Sequence, residues 1–229
     1  TPRAAIIGEP SSMRVITGHK SVNLAKVTFR GRAAHSSLTS AGVNAIEYAA
    51  KFIRYVRGRA DHWKAEGPFD EAYELPYSTT GSNMVNGGIA SNTVPELCVV
   101  HCEFRTIGTV NPQVTMAEYE AYALELGAQM KAEHPSASVE FEVLAAVPGL
   151  DTPADSAAIS LGRELGGLAS EDKVTYGTEA GQFAGAGMEA IVCGPGDIAQ
   201  AHTANEWIAL DQLVACEQFV TRLIQHLSR

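Results

Sequence analysis

The sequence predicts a mixed α/β fold in which one domain is inserted into another, and two observations support this. Residues 22–145 alternate in the order strand, helix, strand, strand, helix, strand, which is the split β-α-β layout of a ferredoxin-like domain. Short apolar runs on either side, at 4–7 and 189–193, have the continuous hydrophobicity of strands buried on both faces. We therefore expect the flanking segments to form an α/β domain that the inserted one interrupts.

The inserted domain is assigned from its hydrophobic periodicity. Strand patterns are predicted over Val22–Arg30, Ser82–Ile89, Leu97–Arg105 and Val139–Ala145, and helices over Asn44–Arg57 and Ala117–His134, the second capped by Thr115. The polar, proline-punctuated stretch Asp61–Thr80 is predicted to be a long surface connection.

The flanking segments have their own pattern of short strands and helices. Strands are predicted at Ala4–Ile7, Met13–Thr17, near Lys173–Tyr176 and at Ala190–Cys193, with helices at Ala154–Leu165, Glu179–Gly185 and Leu210–Leu227. A buried strand needs neighbours on both sides. Because such a strand lies so near Thr1, we expect this chain to be a piece of a longer protein whose N-terminal catalytic half is missing here.

Composition excludes several classes of function. The 229 residues carry 26 Asp and Glu against 17 Lys and Arg, a net charge of −9, whereas nucleic-acid binding requires a basic face. No apolar run approaches the ~20 residues of a membrane span. The four cysteines form no CxxC pair, which argues against a zinc knuckle or a disulfide framework. We expect a cytoplasmic protein with Cys98 and Cys102 in its core.

Two polar loops come directly after buried strands, and these are the first candidates for chemistry. Glu9 follows the strand at 4–7, and His202 lies in the loop that Gly194-Pro195-Gly196 opens after the strand at 189–193. Open α/β sheets bind their ligands at the carboxyl ends of strands. The alternative for each residue is an ordinary solvated loop side chain.

The inserted domain offers a second set of polar groups. His35 and Asn92 lie in loops and Arg105 ends a strand. An imidazole, an amide and a guanidinium together suit a carboxylate or a developing oxyanion, although each alone is compatible with a solvent-facing role. Glu179 stands at the start of a predicted helix, where it either favours the helix dipole or faces a substrate.

One histidine and one glutamate do not complete a hydrolytic zinc site. Such a site needs three or more protein ligands, and a dinuclear site about five. The sequence contains neither HxD nor HExxH. Any further ligands therefore have to come from outside this chain, or no such site exists.

Short motifs follow one another along the whole chain, and their succession resembles a known family. They are GEPSS at 8–12, GRAAHSS at 31–37, ASNTVPE at 90–96 ahead of Arg105, TEA at 178–180 and GPGDIAQAHTANE at 194–206. In this order they resemble the zinc-dependent amidohydrolases, which include acetylornithine deacetylase, succinyl-diaminopimelate desuccinylase and aminoacylase. The last two motifs are most similar to acetylornithine deacetylase.

The resemblance implies a role for each matching residue. Glu9 and His202 would each bind one of two zinc ions (cobalt or manganese being alternatives), and Glu206 would orient the site. His35 would stabilise the oxyanion, reaching across a homodimer interface. Asn92 and Arg105 would hold the substrate carboxylate, and Glu179, with Asp197, would face the cationic side chain of ornithine.

The resemblance also implies a domain organisation and a reaction. Residues 1–20 and 148–229 would be pieces of a zinc-peptidase-like catalytic domain, and residues 21–147 a ferredoxin-like lid and dimerisation domain. The reaction would be removal of an N-acyl group, first of all from N-acetylornithine in arginine biosynthesis, with this chain alone inactive. Desuccinylase, aminoacylase or dipeptidase activity, or a non-catalytic dimerisation fragment, are the alternatives.

Overall fold

The computed structural model describes residues 2–201 and 203–228, and their Cα positions divide into two compact units. The first unit comprises Thr1–Ser21, Asp70–Pro76 and Val147–Arg229, and the second comprises Val22–Phe69 and Tyr77–Ala146. The chain therefore returns to the first unit for seven residues within the predicted surface connection.

Ten strands and five α-helices are formed by the described residues. In chain order they are β1 (Ala4–Ile7), β2 (Gly18–His19), β3 (Val22–Arg30), β4 (Ala34–His35), α1 (Ala45–Glu66), β5 (Thr79–Gly87), β6 (Thr93–Val94), β7 (Leu97–Arg105), α2 (Pro112–Glu133), β8 (Ser138–Val147), β9 (Leu150–Asp151), α3 (Ala157–Glu164), α4 (Ala180–Gly185), β10 (Glu189–Val192) and α5 (Leu210–Leu227). Short 3-10 helices cover Ser36–Ala41 and Ile198–Gln200.

The second unit is built on a four-stranded sheet of order β5-β7-β3-β8. β7 pairs antiparallel with both β3 and β5. Alternate side chains of β3 and β7 are buried against α1 and α2, so the core lies on one face of the sheet. Phe52 of α1 and Tyr119 of α2 meet edge to face there, with ring centroids 6.2 Å apart. Cys98 and Cys102 are buried in this core, as expected.

The first unit is organised around β1 and β10, which pair in parallel from Ala4↔Glu189 to Ile7↔Val192. Ile191 packs in one hydrophobic cluster with residues of α3 and α5, while Val192 packs in another with Ala180 of α4. β10 is thus covered on both faces. This explains why its sequence is continuously apolar rather than alternating.

Several predicted elements differ from those observed. Met13–Thr17 makes only isolated bridges, because Arg14 pairs in parallel with Leu168 whereas Ile16 pairs antiparallel with Val192, so no ladder forms with either partner. The chain enters this segment through Ser12 and Met13 with φ of 53° and 58°, outside the strand region. The predicted strand near Lys173–Tyr176 likewise makes only isolated bridges.

The two long helices also differ from their predicted bounds. α1 runs past the predicted end at Arg57 to Glu66, and its last turn buries Trp63. α2 is capped by Asn111 rather than Thr115: the Asn111 side chain accepts from the Gln113 N–H at 2.9 Å, and a proline opens the helix. In the described part of the chain, no helix is both long and apolar enough to cross a membrane.

Candidate active-site residues

The loops that follow β1 and β10 are bound to each other through their backbones. The Cys193 N–H donates to the Ile7 carbonyl at 2.9 Å, and the Met13 N–H donates to the Gly194 carbonyl at 2.8 Å. The Ser11 hydroxyl accepts from the Gly194 N–H at 3.1 Å. These bonds fix the two loops at the carboxyl edge of the parallel pair.

Gly194 is required by this close approach. A Cβ placed on it would lie 2.1 Å from the Gly8 carbonyl oxygen and 2.5 Å from that of Glu9. Only a residue without a side chain fits, so the glycine of the GPG sequence allows the loop that carries Glu9 to pack against it.

Glu9 is half-buried in this loop, and both it and Asp197 lie near Tyr176. Burial, followed by the negative charges of Glu9 and Asp197, raises the pKa of Tyr176 to about 12. The Tyr176 hydroxyl donates to the Pro10 carbonyl at 2.5 Å. Tyr176 therefore supports the Glu9 loop as a neutral donor, a role that no motif in the sequence indicates.

The rest of the loop after β10 is ordered by a capping box. The Asp197 side chain accepts from the Ala199 N–H at 2.9 Å, and the Gln200 side chain accepts from the Asp197 N–H at 3.3 Å. Glu206 is exposed. His202, the predicted imidazole ligand, lies outside the described residues.

Glu179 is exposed at the N-cap of α4, and its side chain does not cap the helix. The first turn of α4 is instead held by His19, which is fully buried. The His19 Nδ1 lies 2.9 Å from the Lys20 carbonyl, and Nε2 accepts from the Gly181 N–H at 3.3 Å. These contacts define a neutral ring protonated on Nδ1.

Burial lowers the pKa of His19 below its ordinary value of 6.5, against the opposing effects of the Lys20 carbonyl and the charge of Glu179. His19 was not among the predicted site residues. Its position after a glycine and before a lysine gives no signal of the contact with α4, which is distant in sequence.

Among residues 2–201 and 203–228, no group of three or more His, Cys, Asp or Glu side chains is arranged to hold a metal ion. Glu9 is a suitable oxygen ligand by its chemistry and position. The described residues do not by themselves form a metal site.

His35 and Asn92 lie side by side in the second unit. β4 pairs antiparallel with β6, with His35 opposite Thr93, and the Ser36 N–H donates to the Asn92 carbonyl at 2.9 Å. The exposed His35 ring accepts at Nδ1 from the Ser37 N–H at 3.3 Å. In the neutral ring, the proton is therefore on Nε2.

Arg105 is not part of this pair. β4 and β6 continue from the end of the sheet where Arg30 pairs with Leu97, whereas Arg105 is the last residue of β7. β7 spans nine residues, and its eight steps of ~3.3 Å separate the two ends by about 26 Å. The structure brings the backbones of His35 and Asn92 close together and places Arg105 at the opposite end of the same unit.

Arg105 has a carboxylate partner that the sequence analysis missed. Its Nε donates to the Glu103 carboxylate at 2.5 Å. The two residues are separated by one position on a strand, so both side chains lie on the same face. This spacing is visible in the sequence but is also common among exposed strands.

Solved structures that share this fold include two peptidases. The chain superposes on the aminopeptidase PepT of Bacillus cereus with a TM-score of 0.74 and 18% identity, over 99% of this chain and 58% of that one. A tripeptidase of Staphylococcus aureus gives a TM-score of 0.71 at 19% identity, over 95% of this chain and 55% of that one. At such identities, the likeness concerns the fold alone.

Residues 17–131 match the family described as the peptidase dimerisation domain of the M20 type, which is half of the chain. The chain belongs to this family. It is 32% identical to an acetylornithine deacetylase of Myxococcus xanthus and 30% identical to one of Salmonella arizonae, each over 98% of this chain and 57% of the relative. The chain thus spans somewhat more than half the length of the curated relatives it matches.

Gly194→Ala should destabilise the protein by about 1–3 kcal/mol, because the new methyl group overlaps the backbone of the Glu9 loop. Gly8→Ala is the matched control, since a Cβ there has nothing within 4 Å. It should change the free energy of unfolding by less than about 1 kcal/mol. Urea denaturation of both variants measures the difference, and equal losses would contradict the role of Gly194.

His19 should make the protein less stable as pH falls. Its folded-state pKa is lowered, so below about pH 6.5 the unfolded chain takes up a proton that the folded chain does not. The free energy of unfolding of the wild type should therefore fall more steeply between about pH 7.5 and 5.5 than that of His19→Gln. Urea denaturation at several pH values tests this, with His62→Gln as control; a parallel decline in the wild type and His19→Gln would refute it.

Proposed function

We propose that the protein to which this chain belongs is a metal-dependent amide hydrolase that removes the N-acyl group from an amino acid, with N-acetylornithine as its substrate. The proposal rests on the acetylornithine deacetylases, which are 30–32% identical over 98% of the chain. The observation that carries it within the structure is the short β4–β6 pair, which sets His35, an oriented donor, opposite Thr93 and bonds the Ser36 N–H to the carbonyl of Asn92.

Glu9 and His202 are the residues of this chain that would bind metal, with the remaining ligands supplied by the rest of the protein and Glu206 orienting the site. Zinc ions bound there would lower the pKa of a water molecule and so provide the nucleophile. The contribution of this chain is to hold the Glu9 carboxylate in place. It does so through the backbone bonds of Gly194 and through the Tyr176 hydroxyl.

His35 would stabilise the negative charge that develops on the acyl oxygen. Because Ser37 occupies Nδ1, the neutral ring presents an N–H at Nε2 to solvent. A donor held in this way needs little reorganisation when charge develops, which is the condition for effective oxyanion stabilisation. Asn92 beside it would bind the substrate through its side-chain amide.

Arg105 would bind the substrate carboxylate, but not in the same site as the His35 of its own chain. An acylated amino acid is much shorter than the ~26 Å between the two ends of β7. A single bound molecule can contact both groups only if they come from two copies of the chain. The separation therefore supports a homodimer in which His35 and Asn92 serve the partner's site.

The second unit would be the ferredoxin-like lid and dimerisation domain, residues 21–147, inserted between pieces of the catalytic domain at 1–20 and 148–229. β5 is an edge strand of its sheet and exposes Met84 and Val85, with Ile89 88% exposed just beyond it. An unpaired edge with exposed apolar side chains is a favourable surface for pairing with a second copy. We propose this edge as the dimer interface.

Glu179 would distinguish ornithine from neutral amino acids. Its carboxylate is exposed and is not used to cap α4, which leaves it available to a cationic side chain. Asp197 suits this role less well, because its carboxylate already accepts from the Ala199 N–H.

The direct test is hydrolysis by the full-length protein loaded with zinc. A panel of N-acetylornithine, N-acetylmethionine, N-succinyl-diaminopimelate and a dipeptide should give the highest kcat/KM for N-acetylornithine. Glu179→Gln should reduce the preference for N-acetylornithine over N-acetylmethionine by about tenfold, as expected for loss of one charge-assisted contact. Hydrolysis of none of the four compounds would refute the proposed function, and an unchanged preference would refute the role of Glu179.

The proposed dimer interface is tested by Val85→Lys. A lysine at this 57% exposed position would place a charge at the paired edge, so the dimer should dissociate more readily by at least about tenfold in Kd. Leu144→Lys on β8, at the other edge and 45% exposed, is the matched control and should leave the dimer intact. Sedimentation velocity measures both; a dimer that survives Val85→Lys would exclude the β5 edge.

A further inference from the structure

We propose that Glu103 is a positioning residue for substrate recognition, holding the Arg105 guanidinium in the orientation that receives the substrate carboxylate. The inference rests on the proposed function, in which Arg105 binds that carboxylate. It adds a residue that does not touch the substrate and acts through Arg105. The supporting observations are a short ion pair, a β-bulge, an anchored backbone and a small cavity.

The ion pair fixes one edge of the guanidinium. Glu103 accepts from the Arg105 Nε at 2.5 Å, and both side chains are partly buried, with exposed fractions of 25% and 34%. A free arginine side chain carries ~2 kcal/mol of rotamer entropy. Pairing at Nε restricts the rotamers of Arg105 before any ligand binds. The side chain is therefore pre-organised, and less conformational entropy is lost on binding.

A β-bulge directs a second donor at the same carboxylate. The register of β5 against β7 shifts between Ser82 and Met84, so Asn83 is the extra residue. The Asn83 Nδ2 donates to the second carboxylate oxygen of Glu103, at 3.4 Å. Each oxygen of Glu103 therefore has a donor, which limits rotation of the carboxylate.

The backbone beneath Glu103 is anchored to the hydrophobic core. The Thr80 hydroxyl donates to the Glu103 carbonyl at 2.9 Å, and the Tyr119 hydroxyl donates to the Thr80 hydroxyl at 2.9 Å. Tyr119 is fully buried between the two helices and the sheet. The backbone of Glu103 is thus tied, through Thr80, to a buried residue of the core of the second unit.

A cavity of about 210 Å³ opens at this point, and Asn83, Glu103 and Arg105 are among the residues that line it. Such a volume exceeds that of several water molecules at ~30 Å³ each, so it admits a carboxylate group. Within the part of the chain that the structure describes, the terminal nitrogens of Arg105 form no hydrogen bond. Glu103 thus uses the Nε–H and leaves the terminal nitrogens to a ligand.

Glu103→Asp in the full-length, zinc-loaded protein tests the inference, because it preserves the charge and changes only the reach. The shorter side chain withdraws its carboxylate by about one carbon–carbon bond, ~1.5 Å, and displacements of this size markedly weaken recognition. The KM for N-acetylornithine should rise about tenfold with kcat within about twofold. The KM for the carboxamide analogue, which lacks the α-carboxylate, should be unchanged.

Glu142→Asp is the matched control: Glu142 pairs with Lys26 in the same sheet, and its variant should leave both KM values unchanged. Arg105→Met should raise the KM for the acid more than Glu103→Asp does. If Arg105→Met raises the KM for N-acetylornithine and Glu103→Asp does not, this inference is overturned while the proposed function stands. If Glu103→Asp raises the KM for N-acetylornithine and for its carboxamide analogue equally, the role of Glu103 is structural and the inference is overturned as well. If the wild-type protein hydrolyses neither compound, both the inference and the proposed function are overturned.

Discussion

The first unit depends on the contact between the loop after β1 and the loop after β10. Two parallel strands of four residues provide few hydrogen bonds of their own. The bonds from Cys193, Met13 and Gly194 continue the pairing beyond the strands. Because Gly194 has no Cβ, the two loops pack closely at the edge where an α/β sheet presents its functional groups. This packing determines where Glu9 lies.

The second unit follows a different principle, in which β7 determines where each polar group lies. Successive residues of β7 point to opposite faces of the sheet, so its even-numbered side chains lie in the core and its odd-numbered side chains lie on the other face. Glu103 and Arg105 therefore share the uncovered face at one end, and the short β4–β6 pair carries His35 and Asn92 beyond the other. The packing of the core holds β7 in place, and the length of β7 sets the distance between the Glu103–Arg105 pair and the pair of His35 and Asn92.

The sequence predicts the elements whose pattern is decided locally. β3, β7 and α5 begin and end at the predicted residues because each has a clear hydrophobic period. Met13–Thr17 is also largely apolar, but Arg14 and Ile16 pair with two different segments of the chain, so no regular strand forms. The end of α1 and the return of Asp70–Pro76 to the first unit depend on tertiary contacts such as the burial of Trp63 and Tyr73. No local pattern contains those contacts.

Some residues of the candidate site can likewise be predicted from the sequence, whereas others are found only in the structure. Glu9, His35 and Asn92 are conspicuous in the sequence because they interrupt strands or lie in glycine-rich loops. Tyr176, His19 and Glu103 act on partners through contacts that only the folded chain creates, and Tyr176 reaches Pro10 across 166 residues of sequence. Spacing can suggest which residues carry reactive groups. It does not reveal which residues hold them in place.

The pairing of Arg105 with Glu103 appears at first to work against binding an anion, since the carboxylate offsets part of the guanidinium charge. The 229 residues of this chain carry a net charge of −9, so their long-range field would not attract the anionic substrate proposed above. Recognition must then come from short-range, directional hydrogen bonds, whose strength depends on orientation. A guanidinium held at Nε by Glu103 loses some charge but gains a defined direction, which under the proposed function would favour a carboxylate over a neutral group at the same position.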